Sequence, residues 1–271
     1  MSVEQVGPSA WLWKEGAGYY TERPEDLAAR PVLPDLGRVR ERRLHDLFVR
    51  FGGVRPGARV LELGCGRSPW LPLLARRHGC QVTGIDIETH AADLALANLI
   101  GAGVDGEVYR GDAFALSRRE GLAGRFDLVY SMGLLEHFDE PAARIADLAH
   151  YLKPGGRILT TVPNLHGVNW MLQRLGSLDT LRAHVVHTAR SLALAHERAG
   201  FRSIASGYAG FCDGHLSSAA GARSRLQRAI HRRACHALGL GSEAWLRLSR
   251  GRGAPELRFL SPHVFHAGRL P

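Results

Sequence analysis

The feature that most constrains the fold is a change of pattern after Pro56-Gly57, where short apolar runs begin to alternate with helical stretches. This alternation is typical of βαβ units on a parallel sheet. The apolar runs predict strands at Arg59 to Leu63, Gln81 to Ile85, Glu107 to Arg110, Phe126 to Tyr130, Arg157 to Val162, Phe201 to Gly207 and Leu257 to Ala267. We therefore expect an α/β fold built on one central sheet.

Helices are predicted between the strands from apolar periodicity and from residues that cap helix ends. Ser68 can cap a helix that has Pro69 at its first position, and Gly79 can end that helix. The other predicted helices run from Leu36 to Phe51, Thr89 to Ile100, Ala142 to Leu152 and Thr188 to Ala199.

Two connections exceed the length of about two to six residues that is usual between elements of an α/β fold. They are residues 163–187 and 211–255, and we interpret both as insertions, because loops of this length are often functional. Residues 1–54 precede the alternating pattern. The predicted division is an N-terminal lid and helix at 1–54 and a ligand-binding domain at 55–271.

Composition excludes several classes of protein. The chain has 271 residues, of which 45% are apolar, and this is enough to fill the core of a globular domain. It contains no apolar run of the roughly 18 residues that a membrane span needs, and its first residues do not resemble a secretory signal. The four cysteines form no C-x-x-C pair, so reduced thiols and a cytoplasmic location are expected.

A glycine-rich loop follows the first strand, from Glu62 to Ser68. Glycines let the backbone approach a ligand closely, and the following helix offers unpaired N–H groups. A dinucleotide loop requires a third glycine where this chain has Pro69, which disfavours a nicotinamide cofactor without eliminating it. The Glu62 carboxylate would attract an ammonium and repel a diphosphate. The loop thus favours a sulfonium amino-acid cofactor.

Acidic side chains follow the next two strands. Asp86 ends the second strand, where its carboxylate can accept hydrogen bonds from both ribose hydroxyls, and Ile87 can cover an adenine face. Asp112 follows the third strand and can accept from the adenine amino group. Ser131 and Met132 end the fourth strand. Carboxyl ends of parallel strands meet at one edge of a sheet, so these residues are expected to share a crevice.

Five ordered motifs resemble the class I S-adenosylmethionine-dependent methyltransferases: VLELGCG at 60–66, GID at 84–86, GDA at 111–113, FDLVYSMGLLEHF at 126–138 and LKPGGRILTTVPN at 152–164. The resemblance covers about residues 55 to 210. It implies a Rossmann-like seven-stranded sheet with its last strand antiparallel and helices on both faces. It also implies a methionine site formed by Glu62, Gly64, Cys65 and Gly66, with Asp86 at the ribose and Asp112 and Ala113 at the adenine.

Methyl transfer from a sulfonium is an in-line displacement, and a base is needed only when the nucleophile is protonated. His137, just beyond the fourth strand, is the candidate base. His184 and His187 share a spacing that fits a metal site, but the sequence shows no third ligand, so no metal is predicted. The candidates for the acceptor pocket or its lid are Tyr19, Tyr20, Asn164, His166, Trp170 and His187.

The last 71 residues hold 11 arginines and 3 acidic residues, which supplies +8 of the net charge of +9. Within them, residues 222–238 predict a basic amphipathic helix. This segment fits an anionic small-molecule acceptor or peripheral contact with an anionic membrane, and it shows no nucleic-acid-binding module. The predicted function is methylation of a small molecule, at an O, N, C or S atom. The alternatives are methylation of a lipid or glycan at a membrane surface and a partner subunit that binds the cofactor without catalysis.

Overall fold

The computed structural model describes residues 20–214, 217, 219, 222, 224–249 and 256–271. Its centre is a seven-stranded sheet in the order β3-β2-β1-β4-β5-β7-β6. The strands are β1 (Arg59–Leu63), β2 (Gln81–Asp86), β3 (Gly106–Arg110), β4 (Phe126–Met132), β5 (Leu152–Pro163), β6 (Arg202–Ala209) and β7 (His263–Arg269). Strand β7 is antiparallel to both of its neighbours, whereas β1 to β5 are parallel. The predicted fold class is confirmed.

Nine α-helices are seen in the described residues: α1 (Pro24–Ala29), α2 (Val39–Leu47), α3 (Trp70–His78), α4 (Thr89–Gly101), α5 (Pro141–Ala149), α6 (Gly167–Gly176), α7 (Leu178–Arg182), α8 (Ala189–Arg198) and α9 (Arg225–Leu248). A π-helical turn, Phe48–Gly52, continues α2. Ser68 caps α3 through its side chain, and Gly79 ends the helix with a φ of 66°. None of these helices is long and apolar enough to cross a membrane, within the residues described.

The strand order places a crevice at the centre of the sheet. The chain moves outward from β1 through β2 to β3, and then returns to pair β4 with the other side of β1. Ligands of open α/β sheets bind at this reversal, outside the carboxyl ends of the strands. The loops that follow β1, β2 and β4 meet there, and they carry most of the predicted cofactor residues.

Apolar residues fill both faces of the sheet. On one face the fully buried Phe48 packs edge-on against Tyr130, with ring centroids 4.8 Å apart, and also contacts Trp70. On the other face Phe126 packs against Tyr151. Helix α2, from the predicted N-terminal region, therefore contributes to the core of the main domain through the turn that continues it.

Several predicted boundaries are wrong. Strand β5 begins at Leu152 rather than Arg157, because Leu152 already pairs with Phe126 and the Pro-Gly-Gly segment is drawn into the strand. This shortens the preceding helix, which ends at Ala149. Strand β7 begins at His263 rather than Leu257, where pairing with β5 and β6 starts. The basic helix runs over 225–248 and not over 222–238.

Candidate functional site

The glycine loop after β1 is tied to the end of β2 by backbone hydrogen bonds. The amides of Gly64 and Cys65 both donate to the Ile85 carbonyl, at 2.9 and 3.1 Å. Gly66 has a φ of 48°, a left-handed conformation that favours glycine. Its amide donates to Asp86 Oδ2 at 2.7 Å. The loop is thus held in one shape by the strand tip that carries the predicted ribose ligand.

Asp86 is a buried carboxylate that orients the backbone around it. Besides the Gly66 bond, its Oδ1 accepts from the Glu88 amide at 3.0 Å. Burial raises the pKa of Asp86, while these amide donors oppose that rise. Two carboxylate oxygens can together accept about four hydrogen bonds, so the carboxylate keeps acceptor capacity for a ribose hydroxyl. The predicted ribose role and a loop-fixing role are therefore compatible.

Glu62 lies beneath the loop and is almost completely buried. Its Oε2 accepts from the Tyr130 hydroxyl at 2.7 Å and from the Ser68 hydroxyl. Ser68 Oγ in turn accepts from the Trp70 and Leu71 amides, which links Glu62 to the first turn of α3. Burial raises the pKa of Glu62 to about 8. Near pH 7 Glu62 is therefore mostly protonated in the ligand-free protein. A cationic ligand would favour its charged form.

Cys65 is a packing residue in this loop. A Cβ built on Gly84 would lie 2.8 Å from Cys65 Sγ. The thiol therefore fills the space above Gly84, and any larger residue at that position of β2 would clash with it. Burial raises the pKa of Cys65 well above its ordinary value, which keeps the sulfur protonated and unreactive.

Tyr20 covers the loop from outside. A Cβ placed on Gly66 would lie 2.0 Å from the Tyr20 hydroxyl oxygen, so the tyrosine sits directly over this glycine. The ring also packs against the small cluster that Leu27 forms with Leu94. This position supports the predicted lid. Tyr19, predicted for the same lid, falls outside the described residues.

The predicted adenine side is more open. Ile87 exposes 59% of its surface at the tip of β2, as a side chain that covers a flat ring would. Asp112 Oδ1 accepts from the Phe114 amide at 2.8 Å and leaves its other oxygen available. Ala113 is buried, and its carbonyl accepts from the Tyr151 hydroxyl. Ser131 is buried near the end of β4 with no hydrogen-bond partner for its hydroxyl, and Met132 ends the strand.

His137 belongs to a cluster that sequence reasoning did not find. The potential ligand atoms of Glu136, His137 and His184 all lie within 4.8 Å of one another. His137 Nε2 is 3.8 Å from Glu136 Oε1, and the rings of the two histidines are tilted with centroids 4.8 Å apart. His184 Nδ1 hydrogen bonds to the Thr180 carbonyl, which leaves Nε2 of His184 as the nitrogen with a lone pair.

Burial keeps this cluster uncharged. It lowers the pKa of His137 to about 4, with a further decrease from neighbouring His184. It raises the pKa of Glu136 to about 8, and Glu136 Oε2 is buried without a hydrogen-bond partner. Two neutral histidines and an unpaired carboxyl oxygen can bind a small divalent cation or move a proton. The expected absence of a metal remains a prediction.

The other acceptor candidates do not converge. Asn164 is fully buried, and its amide donates to the carbonyls of Arg258 and Ser261, so it fixes the chain before β7. His166 contacts Asn164, whereas Trp170 is 39% exposed on α6. His187 is buried beside Leu135 with an unpartnered Nε2, which brings it near the His137 cluster. The acceptor roles of all four residues remain predictions.

The sheet order, the glycine loop and the acidic strand tip together define a protein of the Rossmann-like, S-adenosylmethionine-binding methyltransferase class. Residues 36–206, more than half of the chain, match the family described as Methyltransferase domain. The chain belongs to this family. The predicted class of enzyme and its cofactor, S-adenosyl-L-methionine, are confirmed at the level of the family.

Relatives and solved structures agree with this assignment. Ubiquinone biosynthesis O-methyltransferase of Escherichia coli O7:K1 is 29% identical over 147 residues, which are 54% of this chain and 60% of that protein. The chain thus matches less than two thirds of the length of this relative. A putative sarcosine dimethylglycine methyltransferase from Galdieria sulphuraria superposes with a TM-score of 0.58 at 16% identity and 83% coverage of both chains. Because the two sequences are only 16% identical, this likeness shows a shared fold and nothing more.

Proposed function

We propose that this protein transfers the methyl group of S-adenosylmethionine to a hydroxyl oxygen of a small-molecule acceptor, with His137 accepting the hydroxyl proton. The observation that carries the proposal is the neutral, buried His137 just beyond β4. A neutral imidazole can accept a proton at its unprotonated ring nitrogen. Leu134, three residues before His137, lies close to the cofactor loop, since its Cδ1 is 3.7 Å from the position that a Cβ on Gly64 would take.

The proposed reaction is a single displacement. The acceptor oxygen forms a bond to the methyl carbon as the carbon–sulfur bond breaks, and sulfur keeps the electron pair to give S-adenosylhomocysteine. The hydroxyl proton moves to the unprotonated ring nitrogen of His137. Since the sulfonium is already an activated leaving group, the protein contributes mainly by holding donor and acceptor in line. Tyr20 would cover the methionine end of the donor.

Oxygen is favoured as the methylated atom for two reasons. Amines and thiolates can react without a base in their unprotonated forms, whereas a hydroxyl gains from a neutral base in the site. The curated relatives carry O-methyltransferase in their names. Their own acceptor is not transferred to this chain, because the match leaves a large part of those proteins uncovered.

An acceptor panel tests the proposal. Purified protein is incubated with methyl-labelled S-adenosylmethionine and with matched phenols, catechols, anilines and thiols, each in a neutral and a carboxylated form. We expect label in hydroxyl compounds, and the charged pairs test the predicted anion preference. Label confined to amines or thiols would contradict oxygen as the target, and cofactor binding without turnover across wider panels would favour a non-catalytic role.

Glu62 is expected to make cofactor binding depend on pH. Its pKa is about 8 without ligand, and the ammonium and sulfonium of S-adenosylmethionine should lower that pKa on binding. Binding then releases a proton, so affinity should rise as pH increases from 6 to 8, by up to about tenfold per pH unit, and level off above 8. Calorimetry in buffers of different ionisation enthalpy measures the proton release.

The matched variant for this measurement is Glu62→Gln, which keeps a side-chain oxygen for Tyr130 and Ser68 but cannot ionise. The cofactor's own amino group titrates equally in both proteins, so the difference between them isolates Glu62. We expect the variant to lose the released proton and most of the rise in affinity. Identical pH profiles would show that Glu62 stays protonated in the complex.

A further inference from the structure

Helix α9 packs on the domain through several polar side chains and through Trp245, whose ring centroid lies 5.7 Å from that of Phe211. Gln227 Nε2 donates to the Leu175 carbonyl, and Ser242 Oγ donates to the Phe211 carbonyl at 2.8 Å. Between them His231 is 4% exposed and hydrogen bonds to the Ser217 hydroxyl at 3.0 Å. An amphipathic helix on a globular domain usually packs through its apolar stripe. On this helix most of the packing contacts named here are polar instead.

Four large aliphatic side chains of α9 face solvent. Leu226 is 70% exposed, Ile230 47%, Leu240 58% and Leu248 81%. At 100° per residue these four positions fall within a sector of about 80° on the helix surface. They are spread along nearly the whole length of the helix. They form a mainly apolar stripe, interrupted by the exposed Arg233, that we call the outer stripe.

Three arginines lie along one side of the outer stripe. Arg225, Arg228 and Arg232 are exposed and fall within a neighbouring sector of about 60°. The helix carries five arginines and one acidic residue, Glu243. In the part of the chain that the structure describes, no ion pair involves any of these arginines. The solvent-facing half of α9 therefore combines a mainly apolar strip, which includes Arg233, with a cationic strip beside it.

We propose that α9 is a docking surface for an anionic lipid bilayer, with the outer stripe in the acyl boundary and the arginines at the headgroups. Helices with this division of surface lie in the plane of the membrane interface. A second copy of the chain fits less well, because an antiparallel two-fold pairing through the outer stripe brings the two arginine strips together. Nucleic acid matches the arginines but has no apolar counterpart for four exposed aliphatic side chains. The proposal is independent of the acceptor and goes beyond the proposed activity.

Vesicle co-sedimentation with the full chain tests the docking surface. The probes are vesicles of phosphatidylcholine alone and of phosphatidylcholine with one third phosphatidylglycerol, at low and high salt. We expect binding to the anionic vesicles that weakens with salt. The triple variant Arg225→Ala, Arg228→Ala, Arg232→Ala should lower the partition coefficient on the order of one hundredfold, since each arginine near an anionic surface contributes about fivefold.

Matched controls separate the docking surface from general charge or hydrophobicity. Replacing the exposed Arg76, Arg77 and Arg198 by alanine removes the same charge elsewhere and should lower binding much less. Replacing the four residues of the outer stripe by serine should weaken binding while keeping its salt dependence. Serine at four exposed aliphatic positions elsewhere serves as the control: Leu96, Ile100, Leu194 and Ile204. Every variant is first checked for an unchanged melting temperature.

Three outcomes would overturn the proposal. The first is equal binding to anionic and neutral vesicles, or none to either. The second is an equal loss of binding in the α9 triple variant and its charge-matched control. The third is a wild-type dimer in light scattering that the serine substitutions of the outer stripe convert to a monomer, which would identify a second copy as the occupant.

Discussion

Replacing Asp86 by alanine is expected to abolish the rise in melting temperature that S-adenosylmethionine produces. A ligand at one hundred times its Kd stabilises a protein by about 2.7 kcal/mol, which is roughly 5 to 10 °C for a chain of this size. The substitution removes the predicted ribose acceptor and also the bond that holds Gly66. The glycine loop and the ribose contact should therefore fail together. Thermal scans with and without the cofactor measure the effect.

The control for this experiment is Asp127→Ala. Asp127 also accepts a backbone amide, from Arg59 at 2.9 Å, and it pairs with Lys153, but it lies at the start of β4, far along the strand from the crevice. Its loss should lower the melting temperature and leave the cofactor-induced rise intact. If Asp86→Ala folds and keeps that rise, Asp86 does not bind the cofactor.

Replacing His137 by asparagine is expected to lower kcat for a hydroxyl acceptor by about 10² to 10⁴, the usual contribution of a general base. Asparagine keeps a polar side chain of similar reach but cannot take up a proton. The Kd for S-adenosylmethionine should not change, because the side chain acts on the acceptor. Steady-state kinetics and calorimetry on the same protein separate the two effects.

The pH dependence provides a readout that a purely structural role would not affect. With its pKa lowered to about 4, His137 is neutral above roughly pH 5, so the wild-type kcat at saturating cofactor should stay level from pH 5 to pH 8 and fall below pH 5. Glu136→Gln is the matched variant. Because Glu136 is mostly uncharged near pH 7, this substitution should change kcat less than tenfold. Two results would show that His137 is not the base. One is a kcat of His137→Asn equal to that of the wild type, and the other is a loss of activity in that variant that is explained entirely by weaker cofactor binding.

Much of the fold follows from local pattern. Strand β1 matches its prediction at both ends, because its apolar run is bounded by a turn and by the glycine loop. The capped helix after it is predicted closely for the same reason. Strand β5 and strand β7 are misjudged at their starts, since strand length there is decided by pairing with distant strands. Local sequence carries no signal for such pairing.

The candidate site also contains a part that the sequence predicts and a part that depends on distant contacts. The positions at the tips of β1 and β2 are predictable because spacing along the chain fixes them on adjacent strands. The cluster around His137 is not, because His184 comes from an insertion 47 positions later and its proximity depends on how α7 folds back. The adjacent pair Glu136-His137 was the available signal. Asn164 is a different case: the sequence predicts it for the acceptor pocket, but its side-chain amide hydrogen bonds to carbonyls of the distant segment before β7.

The most direct test of the proposed chemistry is the position of the transferred methyl group on an acceptor that offers two atoms. Carbon-13 methyl-labelled S-adenosylmethionine is supplied with aromatic acceptors that each carry one hydroxyl and one amino group, and the products are examined by NMR. Methyl transfer to oxygen by the wild type, lost in His137→Asn, is the predicted result. Methyl transfer to nitrogen, retained in that variant, would contradict both the oxygen target and the role of His137.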